Sequence, residues 1–221
     1  MQRMPRQFDL LIFDWDGTLM DSAALIVESI QSACADLGFA VPDDRACRHI
    51  IGLGLVQALQ TLLPDLAEAM YPALVDRYRQ HYLGRDAQLP LFEGVGESLA
   101  ELRETGFALA VATGKSQAGL QRALQHHDLG AHFVATRCAD QTHSKPHPAM
   151  VLELLEETGT LPGRALVIGD TAHDMQMAAQ AGVARLAVTY GAHRREDLTP
   201  HAPLALLDDY RGVHAWLCAN A

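Results

Sequence analysis

Phe8-Asp9-Leu10-Leu11-Ile12-Phe13-Asp14-Trp15-Asp16-Gly17-Thr18 is the stretch that decides the fold. Its first half is dense in apolar residues and reads as a buried strand, which Asp14 to Thr18 closes with a polar turn. The residues after the turn determine how that strand is used.

Ser22 is placed to cap a helix running to about Gly38, with Ala23, Ile26, Val27, Ile30 and Ala33 as its apolar stripe. From Asp43 to about Gly84 the pattern stays helical, broken at Gly52, Gly54 and Pro64. Ser22 to Gly84 therefore reads as a helical insert. After Pro90 and Gly94 the pattern alternates. A helix over Val95 to Glu104 precedes a strand Phe107 to Ala112, and a helix from Ser116 to His127 precedes a strand at Phe133 to Ala135. The helix Pro146 to Glu157, strand Ala165 to Ile168, helix Met175 to Ala181 and strand Ala184 to Val188 continue the series, and Leu204 to Leu206 leads to a terminal helix, Tyr210 to Cys218. Strands separated by helices imply an α/β fold with a Rossmann-like, doubly wound, mostly parallel sheet and an all-helical insert after the first strand.

At 221 residues the chain has room for a main domain plus an insertion. No apolar run approaches the roughly 18 residues of a membrane span. Met1 to Gln7 passes directly toward the first strand with no signal-peptide core, so a cytoplasmic location and no membrane partner are expected. Seventeen basic against twenty-seven acidic side chains give a formal charge of −10, which disfavours nucleic acid as a partner. A bound cation can still invert the field inside a cleft, so an anionic small molecule stays open. Cys34, Cys47, Cys138 and Cys218 form no CxxC and read as isolated thiols. The histidines, His126, His127, His143, His147 and His173 among them, show no HExxH spacing.

A doubly wound sheet binds ligands beyond the carboxyl ends of its strands. Four polar clusters stand there: Asp14 to Thr18, Thr113-Gly114-Lys115-Ser116, Ser144-Lys145-Pro146, and Gly169-Asp170-Thr171-Ala172-His173-Asp174. Each alone has an ordinary reading as a turn former, helix cap or solvated lysine. Together they make a chemical inventory. Asp14 and Asp170 can offer oxygen ligands to Mg²⁺, while Thr113 with Gly114 and Lys145 can hold and neutralise phosphoryl oxygens. Asp14 is then the nucleophile, and Asp16 can protonate the leaving oxygen and afterwards deprotonate water.

Phe13-Asp14-Trp15-Asp16-Gly17-Thr18-Leu19, Ala112-Thr113-Gly114-Lys115, Lys145-Pro146, and Gly169-Asp170 with Asp174 resemble, in order, the four motifs of the haloacid dehalogenase-like superfamily, phosphatase branch, near its phosphoglycolate phosphatase-like group. The resemblance implies that Asp14 accepts the phosphoryl group and binds Mg²⁺, that Asp16 is the acid/base whose carbonyl also reaches the metal, and that Thr113 and Lys145 hold phosphate. It further implies Asp170 as the remaining protein ligand of the metal, supported by Asp174. It divides the chain into a core, residues 1–20 and 86–221, and a mobile helical cap, residues 21–85, with hinges near Met20 to Asp21 and Arg85 to Pro90. Trp15 is shared with the family's phosphonatases, but those carry alanine where Asp16 stands and a cap lysine, whereas no lysine precedes Lys115 here. Asp16 likewise argues against a dehalogenase.

A cap of this size suits a small phosphorylated metabolite. Glycolate phosphate is the first expectation from the family, with a sugar phosphate, a nucleoside monophosphate, a phosphomutase reaction and a catalytically inactive binding protein as alternatives. Arg45, Arg48, His49 and Gly52 are candidates for contacting substrate. A monomer or homodimer is expected.

Overall fold

A computed structural model describes residues 6–221. Met1 to Pro5, the start of the segment read as lacking a signal-peptide core, lie outside the described residues. Among the described residues six strands form one sheet: β1 Leu10–Phe13, β2 Ala108–Thr113, β3 Ala135–Cys138, β4 Ala165–Gly169, β5 Ala184–Val188 and β6 Leu206–Leu207. Their order is β3-β2-β1-β4-β5-β6 and every pairing is parallel. In register, Ile12 lies between Ala110 of β2 and Val167 of β4. The chain builds outward from β1 on one side and then crosses to β4 on the other, so the crevice at the carboxyl ends of β1 and β4 is the topological switch point.

Alternation along β1 explains why its apolar run is unbroken. Leu11 and Phe13 pack with residues of α5 (Val95–Glu104), α6 (Gln117–His126) and α10 (Tyr210–Asn220). Leu10 and Ile12 face the other way, toward α7 (Ala149–Thr158) and α8 (Ala172–Gln180). Both faces of a central parallel strand are covered, so both side-chain sets are apolar.

Between β1 and β2 run α1 (Ala23–Asp36), α2 (Asp44–His49), α3 (Leu55–Leu62) and α4 (Tyr71–Leu83). Ile26, Ile30, Cys47, Leu59 and Leu74 give this group a core of its own. The chain's two passages between the sheet and these helices run side by side: Asp21 N–H donates to Pro90 O at 3.0 Å and Phe92 N–H to Leu19 O at 3.0 Å. Short α9 (Arg195–Leu198) lies before β6. Among the described residues no helix is long and apolar enough to cross a membrane.

Several expected boundaries move, each for a local reason. Ser22 stands at the N-cap of α1 but makes no capping bond, because its hydroxyl donates to Asp16 Oδ1 at 2.7 Å instead. The third strand begins at Ala135 rather than Phe133, whose ring meets Trp15 edge-on with centroids 6.5 Å apart. The helix expected from Pro146 starts at Ala149, with Pro148 as its N-cap. The helix read from Met175 begins earlier, at Ala172, where Thr171 and Asp174 form a capping box.

Candidate active site

Asp14 follows β1 directly, and its N–H donates to Ile168 O at 2.9 Å, continuing the ladder to β4. Asp170 follows β4, and Asp174 lies in the first turn of α8. All three are buried, and one carboxylate oxygen from each lies within 4.8 Å of the others. Lys145, also buried, enters from the segment before α7, with Nζ 2.7 Å from Asp14 Oδ1 and 2.6 Å from Asp174 Oδ1. Asp170 accepts from Thr18 Oγ1 at 3.0 Å and from Ala192 N–H at 2.7 Å. Asp174 Oδ2 accepts from Thr171 N–H at 3.1 Å and Thr171 Oγ1 at 2.6 Å.

Gly17 and Gly169 make this convergence possible. At Gly17, where φ is +82°, a Cβ would lie 2.2 Å from Asp170 Oδ2; at Gly169 it would lie 2.3 Å from Asp174 Cγ. Only residues without a side chain let three carboxylates approach so closely. Trp15 points elsewhere, its Nε1 donating to Met20 Sδ at 3.4 Å.

Three carboxylates facing one ammonium leave an excess of negative charge. Burial pushes Asp14 well above the usual carboxylate range, Lys145 opposes it, and Asp174 and Asp170 push it further up. Asp170 is raised to about 7, by burial first and by Asp174 next. For Lys145 burial acts downward, but Asp14 and Asp174 outweigh it and hold the ammonium above the ordinary lysine range. Asp14 Oδ2 is buried without a hydrogen-bond donor. An orphaned anionic oxygen within an all-oxygen set fits a hard divalent cation, so the residues present suit Mg²⁺.

Thr113 ends β2, fully buried, and its Oγ1 accepts from Lys115 N–H at 3.2 Å. That bond leaves the hydroxyl proton free to donate to a bound anion. Gly114 lies under the insert: a Cβ there would meet Leu53 O at 2.5 Å and Gly52 O at 2.6 Å. Gly54 N–H donates to Ser144 Oγ at 2.7 Å. The loop at 50–54 thus rests directly on the strand ends, and Asp14 is only 1% exposed.

Asp16 sits to one side of the carboxylate cluster. Lys115 Nζ donates to its Oδ1 at 2.8 Å and Oδ2 at 3.0 Å, and to Tyr82 OH of α4 at 2.7 Å. Burial acts against the charged form of Lys115, but Asp16 and Tyr82 outweigh it and raise its pKa. Lys115 therefore bridges sheet and insert. Beside it opens a cavity of about 390 Å³ whose lining includes Met20, Tyr82, Asp86, Arg122 and His126. Its sequence signal was its place: it follows Thr113-Gly114 at a strand end and is one of only two lysines.

Of the other residues picked out, Arg45 is exposed on α2 and Arg48 pairs with Asp44 at 2.9 Å along the same helix. The backbone carbonyl of His49 accepts from His173 Nε2 at 2.9 Å and His193 Nε2 at 3.2 Å, and the His49 ring stacks on His193 at 5.2 Å. Ala172 N–H donates to His193 Nδ1, so that ring carries its proton on Nε2. Burial, with His173 next, pushes His193 down to about 4. These imidazoles, which no spacing in the sequence distinguishes, tie α2 to the β4 and β5 ends. Gly52 faces Thr171, and a Cβ there would meet Thr171 Oγ1 at 3.1 Å.

Fold and site together define a doubly wound α/β enzyme with a buried, cation-seeking carboxylate cluster at the strand ends beneath a helical insert. Residues 11–188 match the model of the haloacid dehalogenase-like hydrolases. The chain belongs to that family, as a hydrolase of its phosphatase branch. The "Probable phosphatase IndB" of Dickeya dadantii (strain 3937) is 37% identical over 211 residues, spanning 92% of this chain and 91% of that protein. A 5'-nucleotidase of Pseudomonas aeruginosa is 33% identical over 196 residues, spanning 87% and 88%. A solved structure described as a predicted phosphoglycolate phosphatase from Haemophilus somnus 129pt superposes with a TM-score of 0.85 at 27% identity, covering 95% of this chain and 98% of that one.

Proposed function

We propose that this chain is a Mg²⁺-dependent phosphomonoester hydrolase that works through a phosphorylated Asp14. The observation that carries the reading is Asp14 itself, a buried carboxylate with one oxygen beside Lys145 and the other without a donor, flanked by Asp170 and Asp174. Asp14, Asp170 and the Asp16 carbonyl would hold the metal, with Asp174 in support. Bound Mg²⁺ supplies charge neutralisation that lets a carboxylate approach an anionic phosphoester.

The remaining work falls to the chain's own groups. Thr113 Oγ1–H and the Gly114 backbone donate to phosphoryl oxygens, and Lys145 neutralises charge beside the nucleophile. Asp14 attacks phosphorus as the ester oxygen leaves with a proton from Asp16. A water that returns its proton to Asp16 then cleaves the acyl phosphate, freeing Asp14 and phosphate. Because the loop at 50–54 lies on Gly114 and Asp14 is 1% exposed, substrate reaches the site only when the insert lifts. Residues 21–85 thus act as the mobile cap on a core of residues 1–20 and 86–221.

Glycolate phosphate is the first substrate to test, supported by the phosphoglycolate phosphatase likeness; the nucleotidase relative makes a nucleoside monophosphate the next. A cytoplasmic setting agrees with four free thiols. Phosphate release from a panel of phosphoglycolate, sugar phosphates and nucleotides, with Mg²⁺ or with EDTA, tests the reading. Release that requires Mg²⁺ and vanishes in Asp14→Asn supports it. Unchanged release in that variant would overturn it.

A further inference from the structure

We propose that Glu101, His214 and Cys218 form a second metal site, of Zn²⁺ type, that clamps the last helix to α5. None of these residues belongs to the Asp14 site. Glu101 lies on α5, while His214 and Cys218 are one turn apart on the same face of α10. Their ligand atoms all fall within 4.8 Å of one another.

The spacing matches a small tetrahedral ion. Zn–N and Zn–S bonds of about 2.0–2.3 Å require neighbouring ligand atoms about 3.3–3.8 Å apart. His214 Nε2 is 3.3 Å from Glu101 Oε2 and 3.6 Å from Cys218 Sγ. Both of these distances lie within that window.

The opposite side of the ring is already anchored. His214 Nδ1 is 2.8 Å from Ser98 Oγ, and Tyr210 OH donates to the same oxygen at 3.4 Å. In the tautomer whose Nδ1–H donates to Ser98 Oγ, the lone pair of Nε2 faces Glu101 and Cys218. An imidazole whose other nitrogen is fixed by a hydrogen bond is the usual orientation of a metal-bound histidine. Partial burial, followed by the charge of Glu101, pushes the Cys218 thiol up, and a divalent cation between them would reverse that effect.

Ligand chemistry selects the ion. Thiolate, imidazole and carboxylate together suit a borderline-soft ion such as Zn²⁺, whereas Mg²⁺ prefers the oxygen set around Asp14. Three protein ligands leave the fourth position to water. Since His214 and Cys218 lie in the final element of the chain and Glu101 in the first helix after the insert, the bound ion would act as a staple between them.

The test uses the full chain in its Asp170→Asn form, which weakens the carboxylate site, stripped with chelator and titrated with Co²⁺. We expect a sulfur-to-cobalt charge-transfer band saturating at one ion per chain, lost in Cys218→Ser and in His214→Ala. Cys34, Cys47 and Cys138 are buried, so the band reports on Cys218. Ser98→Ala, which frees the ring without removing a ligand, should weaken Co²⁺ about tenfold or more. Zn²⁺ should raise the melting temperature of the Asp170→Asn protein and leave its Cys218→Ser derivative unmoved. No band, or a band that survives Cys218→Ser, would overturn the site. Phosphatase activity enters none of these readouts.

Discussion

Adding Mg²⁺ to the chelator-treated protein at different pH values probes the carboxylate cluster directly. Burial, and Asp174 next, raise Asp170 from an ordinary 3.8 to about 7, and burial raises Asp14 in the same direction. A carboxyl that holds its proton more tightly when folded stabilises the metal-free fold at low pH. That contribution is lost as pH rises from about 4 through about 7, and at about 1.36 kcal/mol per pH unit it amounts to about 4 kcal/mol for Asp170. Mg²⁺ held as proposed by Asp14 and Asp170 must displace this proton, so its apparent affinity should fall at least about tenfold for each pH unit below 7, or at least about 100-fold between pH 7 and pH 5. In thermal unfolding at a fixed, moderate Mg²⁺ concentration, with about 2–4 °C per kcal/mol for a chain of this size, the Mg²⁺-minus-EDTA difference shrinks by about 5–10 °C. His193, pushed down to about 4, acts the other way: its contribution is whole above about 6.5 and is lost as pH falls toward 4. It is common to both arms and cancels in the difference. Equal Mg²⁺ affinity at pH 5 and pH 7, or an Asp170→Asn variant that binds Mg²⁺ like the parent, would refute the reasoning.

Lys115→Met removes the cation that both oxygens of Asp16 face, in a pair whose side chains are 12% and 11% exposed. We expect a loss of about 3 kcal/mol in urea unfolding, and a loss below about 0.5 kcal/mol would mark the pair as solvent-screened. Asp16→Asn should still phosphorylate Asp14 slowly while turnover drops about 10²–10⁴-fold; intact-mass detection of the phosphorylated chain beside normal turnover would sink the acid/base role. Gly169→Ala drives a methyl toward Asp174 Cγ, 2.3 Å away, and should cost about 1–3 kcal/mol together with activity. Unchanged melting and unchanged phosphate release in that variant would mean the strand end has slack.

Much of the fold was legible because a parallel sheet imposes a strong pattern. β1 is buried on both faces and hence uniformly apolar, and each strand hands its chemistry to the turn at its carboxyl end. Asp14, Thr113 and Asp170 occupy such positions and could be picked out on that ground. Lys145 could not be distinguished by pattern from a surface lysine; its burial depends on Asp14 and Asp174 arriving from other elements. Ser22 misled because a serine before a helix looks like a cap whether its hydroxyl turns to the helix or to Asp16. The link from Asp16 through Lys115 to Tyr82 joins residues 16, 115 and 82, which no window on the sequence brings together. The contacts of His49, His173 and His193 likewise arise only when three distant segments pack.

The chain leaves the sheet at Leu19 to Asp21 and returns at Pro90 to Phe92, and the two passages are hydrogen-bonded to each other. The two covalent connections of the insert therefore meet the sheet at one place. A cap that moves as proposed would swing about this joined pair of passages, because the two hydrogen bonds hold them side by side. The register of β1 against β2 and β4 is meanwhile set entirely by residues outside the insert.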